Sequence, residues 1–72
     1  MPPRRRFSGS ELCRLLEKHG FVKVRQKGSH RIMQTRIGES TRTVPVPMHQ
    51  DLKPGTLASI IRQSGLKRSL FE

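Results

Sequence analysis

Apolar positions recur along this chain with a period near 3.6 at its two ends and a period of two between them, which predicts helix, strand, strand, strand, helix. Leu12, Leu15 and Leu16 fall on one helical stripe, with Arg14, Glu17 and Lys18 turned to water. Ser8 and Glu11 have the spacing of a capping box, in which the serine oxygen takes an orphan backbone N–H and the glutamate reaches back to the cap. Gly20 ends this helix, because glycine adopts the left-handed conformation that closes a last turn, and Phe21 is placed to contact the helix it leaves.

Over residues 21–26, Val22 and Val24 alternate with Lys23 and Arg25, the pattern of a half-buried strand with both valines on one side. Lys27-Gly28-Ser29 turn the chain into a second strand, from 30 to about 36. Its register is ambiguous, because Ile32 points one way and Met33 the other; Ile32 is the expected core residue. Residues 38–41 make the next turn, and a third strand over 43–48 puts Val44, Val46 and Met48 on one face. Pro45 and Pro47 lack a backbone donor and share one side of that strand, so that side must be an unpaired edge. Pro54 suits the first turn of a final helix with Leu57, Ile60 and Ile61 as its apolar stripe and Gly65 at its end.

Short links make consecutive strands antiparallel neighbours, and helices at both ends of such a meander cover one face of the sheet. The expected fold class is α+β: a three-stranded antiparallel sheet under two helices, laid out like a double-stranded-RNA-binding domain (dsRBD) in its smallest form. With 72 residues the chain has room for one domain. Residues 1–7 read as a loose basic arm that buries nothing, 8–66 as the domain and 67–72 as a short tail.

Charge narrows the function classes. Lys and Arg number 15 against 5 Asp and Glu, a formal charge of +10 and a sequence pI of about 11.7. Self-repulsion on so small a body is relieved by a polyanion, with nucleic acid first and an acidic protein second. A membrane surface is disfavoured, since the basic cluster Arg4 to Arg6 is followed by no long apolar helix face, and no apolar run after it has the form of a signal peptide. Cys13 is the only cysteine, which excludes an internal disulfide, fits a reducing cytoplasm, and suits a small buried hydrophobe.

Few residues can carry chemistry. His19, His30 and His49 sit in separate elements and Cys13 has no second thiol, so no metal site and no cofactor is expected. Lys27-Gly28-Ser29 lacks the glycine spacing of a phosphate loop, and the carboxylates form no acid pair. What remains is histidine among cations. RNA carries its own nucleophile, the 2'-hydroxyl, so a protein that cuts it needs a base, an acid and cations to steady the phosphorane. His30 is the best candidate for the proton carrier, because between Lys18 and Arg36 the chain has Lys23, Arg25, Lys27 and Arg31 and no acidic residue. A histidine after a glycine turn is also an ordinary polar residue at a strand end. His19, at the end of the first helix, reads as a partner of the helix dipole. His49 precedes the second helix and could touch a phosphate held at that helix start, or be a loop residue without duty.

Taken together, Leu15 to Phe21, Arg25-Gln26-Lys27-Gly28-Ser29-His30, Val44-Pro45-Val46-Pro47, Leu52 to Leu57 and Ile60 to Gly65 closely resemble the HicA toxins, in order and with the family's spacing. The resemblance implies a toxin that cleaves messenger RNA, uses the histidine matching His30 without a metal, and is silenced by an acidic HicB-type antitoxin. It implies a free toxin that is monomeric and a hetero-oligomer with the antitoxin. Met33 departs from the pattern, since relatives often carry an aromatic residue there. Candidate RNA contacts are Arg25, Lys27, Ser29 and Arg31 around His30, with His49 and Lys53 beside the second helix. A non-catalytic RNA-binding module of the same fold is the main alternative. A DNA-binding regulator is a weaker one, for want of a helix-turn-helix.

Overall fold

Ser8 opens the first helix as its spacing with Glu11 predicts. In the computed structural model, which describes residues 6–71, the Glu11 N–H donates to Ser8 Oγ at 3.1 Å and the Ser8 N–H to Glu11 Oε1 at 3.0 Å. This box caps α1, Gly9–Lys18. At the other end the Phe21 N–H donates to the Leu16 carbonyl at 3.0 Å and the Gly20 N–H to that of Glu17 at 3.2 Å. Those paired bonds form a Schellman closure, and they need the left-handed φ of +95° that Gly20 adopts.

Strands β1 (Val22–Lys27), β2 (His30–Ile37) and β3 (Ser40–Pro47) form one antiparallel sheet in the order β1-β2-β3, followed by α2 (Pro54–Ser64) and a 3₁₀ turn, Arg68–Phe71. The fold class is the one expected, α+β with helix, three strands and helix in that order. Strand β3 is an edge, which is how the sheet accommodates Pro45 and Pro47: the Met48 N–H turns inward to the Ser29 carbonyl at 2.8 Å, so the prolines' donorless nitrogens turn outward.

One apolar core lies between the sheet and the helices. Leu12, Cys13 and Leu16 of α1 and Leu57, Ile60 and Ile61 of α2 close over Met33, Val44 and Val46. Leu52, Phe21, Phe7 and Phe71 fill the ends.

Three expectations change. Met33, not Ile32, is the core residue of β2, because Met33 pairs with Val44 and cross-strand partners share a face. A side chain so buried is not available to stack on a base. Val22 and Val24 are 59% and 46% exposed, because the β1 register shifts between Lys23 and Arg25: it skips Val24 and sets Val22 opposite Gln34, on the side away from the helices. Lastly, Phe7 is buried although the arm was expected to bury nothing. Its ring meets Phe71 edge to face, centroids 6.2 Å apart, so the core takes in a residue on either side of the 8–66 span. The rest of the expected arm, residues 1–5, lies outside the described residues.

Candidate active site

The turn that presents His30 has only Gly28 and Ser29 between paired residues, and Lys27 faces His30 across it. Gly28 has φ +60°, the positive value that a two-residue hairpin loop with glycine first requires. Gln26 Nε2 donates to the Gly28 carbonyl at 3.2 Å and steadies the loop.

Register then decides what His30 can reach. Met33 and Arg31 pair with Val44 and Val46 on the helix side of the sheet, so His30, Ile32 and Gln34 belong to the opposite side, on which neither helix packs. Cross-strand partners form three rows there: Lys27, His30 and Pro47; Arg25, Ile32 and Pro45; Val22, Gln34 and Thr43. In the last row Gln34 Nε2 donates to Thr43 Oγ1 at 3.0 Å. His30 is exposed in the central strand, and Ile32 beside it is half-buried.

Arg25 and Lys27 join this face because the two-residue turn sets them opposite Ile32 and His30; beyond them β1 is irregular. The register advances two residues on β1, from Lys23 to Arg25, against one on β2, from Met33 to Ile32, a bulge at Val24. Simple alternation would keep Lys23 on the side of Arg25; the bulge turns it to the side of Met33, under the helices, and leaves Arg25 and Lys27 as the β1 cations beside His30.

The other candidates are placed differently. Arg31 lies on the helix side, half-buried against Cys13 of α1. Burial pushes the Cys13 thiol pKa up and the Arg31 guanidinium pulls it partly back. Ser29 is at the loop tip, where its carbonyl accepts the Met48 N–H and ties the tip to the end of β3. His49 follows directly, in the loop between β3 and α2. Lys53 is the exposed N-cap residue of α2, and its side chain makes no cap hydrogen bond. The structure thus gathers Arg25, Lys27 and His30 on one face, sets Ser29 and His49 at one end of it, and separates Arg31 from them.

The loop carrying His49 is held by the N-terminal segment. The Gly9 N–H donates to the His49 carbonyl at 2.8 Å, the Leu52 N–H to the Phe7 carbonyl at 2.9 Å, and Arg6 pairs with Asp51. Gly9 permits this approach, since a Cβ there would lie 2.3 Å from the Pro47 carbonyl oxygen. No local pattern points to Gly9 or Phe7 as positioning residues. Gln34 and Thr43, in contrast, follow from counting by twos from His30 once the partner strand is known.

Among the described residues no three His, Cys, Asp or Glu side chains gather where they could hold a metal ion, and no helix is long and apolar enough to cross a membrane. A cleft lined by Phe7, Glu11, Arg14, Leu15 and Lys18 runs along α1 and contains none of the candidate residues. Comparison with known families matches residues 9–66 of the 72 to a family described as HicA toxin of bacterial toxin-antitoxin. Among curated proteins no match was found.

Proposed function

Because the chain belongs to the HicA toxin family, we propose that it is the toxin of a two-component toxin-antitoxin system and acts in the cytoplasm as a metal-independent endoribonuclease on messenger RNA. The observation that supports this reading is the row Lys27, His30 and Pro47, which sets one exposed imidazole beside a cation on the central strand, at the turn end of an uncovered sheet face. An RNA strand laid across that face meets His30 as the base that takes the 2'-hydroxyl proton. Lys27 and Arg25 steady the charge that grows on the phosphate oxygens. Lys53 and the free N–H groups at the start of α2 hold a second phosphate, with His49 beside them.

The antitoxin follows from the same surface. A small enzyme without a cofactor to withhold is controlled by covering its site, and a +10 charge favours a cover that is acidic and arrives by electrostatic steering. Carboxylates of a HicB-type partner meet Arg25 and Lys27, and its apolar groups meet Ile32 and Pro45. The free toxin is a monomer in this reading and joins a hetero-oligomer when silenced.

Labelled messenger RNA incubated with the purified protein in excess chelator tests the proposal. Fragments are expected, with none from His30→Ala of equal thermal stability. Intact but gel-shifted RNA would make the protein a binding module instead, and cleavage undiminished in His30→Ala would remove that residue from the reaction.

A further inference from the structure

Cutting RNA through its own 2'-hydroxyl moves two protons, one off the nucleophile and one onto the departing 5'-oxygen. His30 accounts for the first. We infer that His49 supplies the second as general acid, an inference that rests on the proposed ribonuclease activity.

Register brings the two imidazoles to one end of the sheet. His30 pairs with Pro47 across β2 and β3, and the 2.8 Å bond from the Met48 N–H to the Ser29 carbonyl extends that ladder one step further. His49 is therefore two residues beyond the partner of His30, diagonal to it across the strand pair. Diagonal neighbours of this kind lie about 7–8 Å apart, within reach of aromatic side chains, and a phosphodiester flanked by two imidazoles needs a gap of that order. His49 is exposed, and its backbone is held by the Gly9 N–H at 2.8 Å, so the imidazole is presented from a fixed support.

Among the described residues the other candidate donors are committed or distant. Glu11 caps α1, Asp51 pairs with Arg6, Glu17 is on α1 at the helix side of the sheet, and Glu39 is in the turn between β2 and β3 at the far end. His19 caps the end of α1, next to Gly20, whose carbonyl accepts from Thr35 Oγ1. Lys27 faces His30 directly, where its ammonium is placed to steady the charge on the phosphate oxygens.

The step balances. The bond from O2' to phosphorus forms as His30 takes the O2' proton, the bond from phosphorus to O5' breaks, and the His49 imidazolium passes its proton to O5'. The products are a 2',3'-cyclic phosphate and a 5'-hydroxyl, and solvent returns each histidine to its starting protonation state.

The test compares one RNA sequence in two forms, natural and with sulfur in place of the scissile 5'-oxygen, because a thiolate leaves without a proton. At saturating full-length protein, His49→Ala should slow cleavage of the natural RNA about 10²- to 10⁴-fold, the usual range for a general acid. Cleavage of the sulfur-substituted RNA should stay within about threefold of the unaltered protein. An equal loss on both substrates, or no loss on either, would overturn the assignment of His49 while leaving the ribonuclease reading in place. Failure of the unaltered protein to cut natural RNA would overturn both.

Discussion

His30 and Arg31 are neighbours in the chain and lie on opposite faces of the sheet, one paired with Pro47 on the uncovered side and the other with Val46 under the helices. Their substitutions should therefore separate into two phenotypes. Lys27→Ala and Arg25→Ala should each lower the salt dependence of RNA binding, by about 0.7 in the slope of log K against log salt, the value for one phosphate contact on a single strand. Arg31→Ala should leave that slope alone and lower unfolding stability by about 1–2 kcal/mol through lost packing of its stem. Filter binding at several salt concentrations, paired with urea unfolding, checks this, and a slope change in Arg31→Ala would place that residue on the RNA.

The contact between Gly9 and Pro47 predicts an unusually costly small substitution. Gly9→Ala sets a methyl 2.3 Å from a carbonyl oxygen and 2.8 Å from the Met48 Cα. The strand end and the helix start must part, at about 1–3 kcal/mol, the range for overpacking a closed contact. Thermal unfolding should show a loss of several degrees, since about 1 kcal/mol shifts a domain of this size by roughly 4–8 °C. RNA cleavage should fall with it even well below the melting point, because the displaced loop carries His49. Full activity and an unchanged Tm would contradict the close approach.

Phe71 tests where the domain ends. Its side chain is fully buried and stacks edge to face with Phe7, and removing such a ring typically costs about 3–5 kcal/mol. A chain cut after Leu66 should be largely unfolded by far-UV circular dichroism, as should Phe7→Ala combined with Phe71→Ala. A stable, cooperative fold in the shortened chain would show both rings to be dispensable.

Cys13 gives a dependence on pH. Burial raises its pKa above the ordinary 9.0, so the folded state favours the protonated thiol. Its contribution to stability is full below the unfolded pKa and is lost as pH rises through the folded one. Alkylation by iodoacetamide at pH 9 should be slow in the folded protein and fast in urea, and Cys13→Ala should flatten the decline in stability above that pH. Equal alkylation rates in the two states would contradict burial.

The helices and their caps were legible because each signal is local: Ser8 with Glu11, Gly20 before Phe21, and Pro54 at a first turn depend on residues within a few positions. The faces of the strands were less so. Ile32 and Met33 carry equally apolar side chains, and which one is buried is settled by Val44 on another strand. The exposure of Val22 and Val24 is decided by the register shift between Lys23 and Arg25, which the plain alternation of the segment does not announce. Phe7 and Phe71 escaped notice because Phe7 stands alone among polar residues and Phe71 has only Leu70 beside it, without the periodicity that marks a core residue.

The extra residue at Val24 has a genetic consequence. Arg25 opposite Ile32 and Lys27 opposite His30 lie on the turn side of it and Lys23 opposite Met33 on the other, so loss of this single codon would straighten β1 and keep every one of those pairs. An in-frame deletion of three bases there would then yield a folded protein with both cations still beside His30, a codon the gene could lose without a frameshift and without dismantling that row.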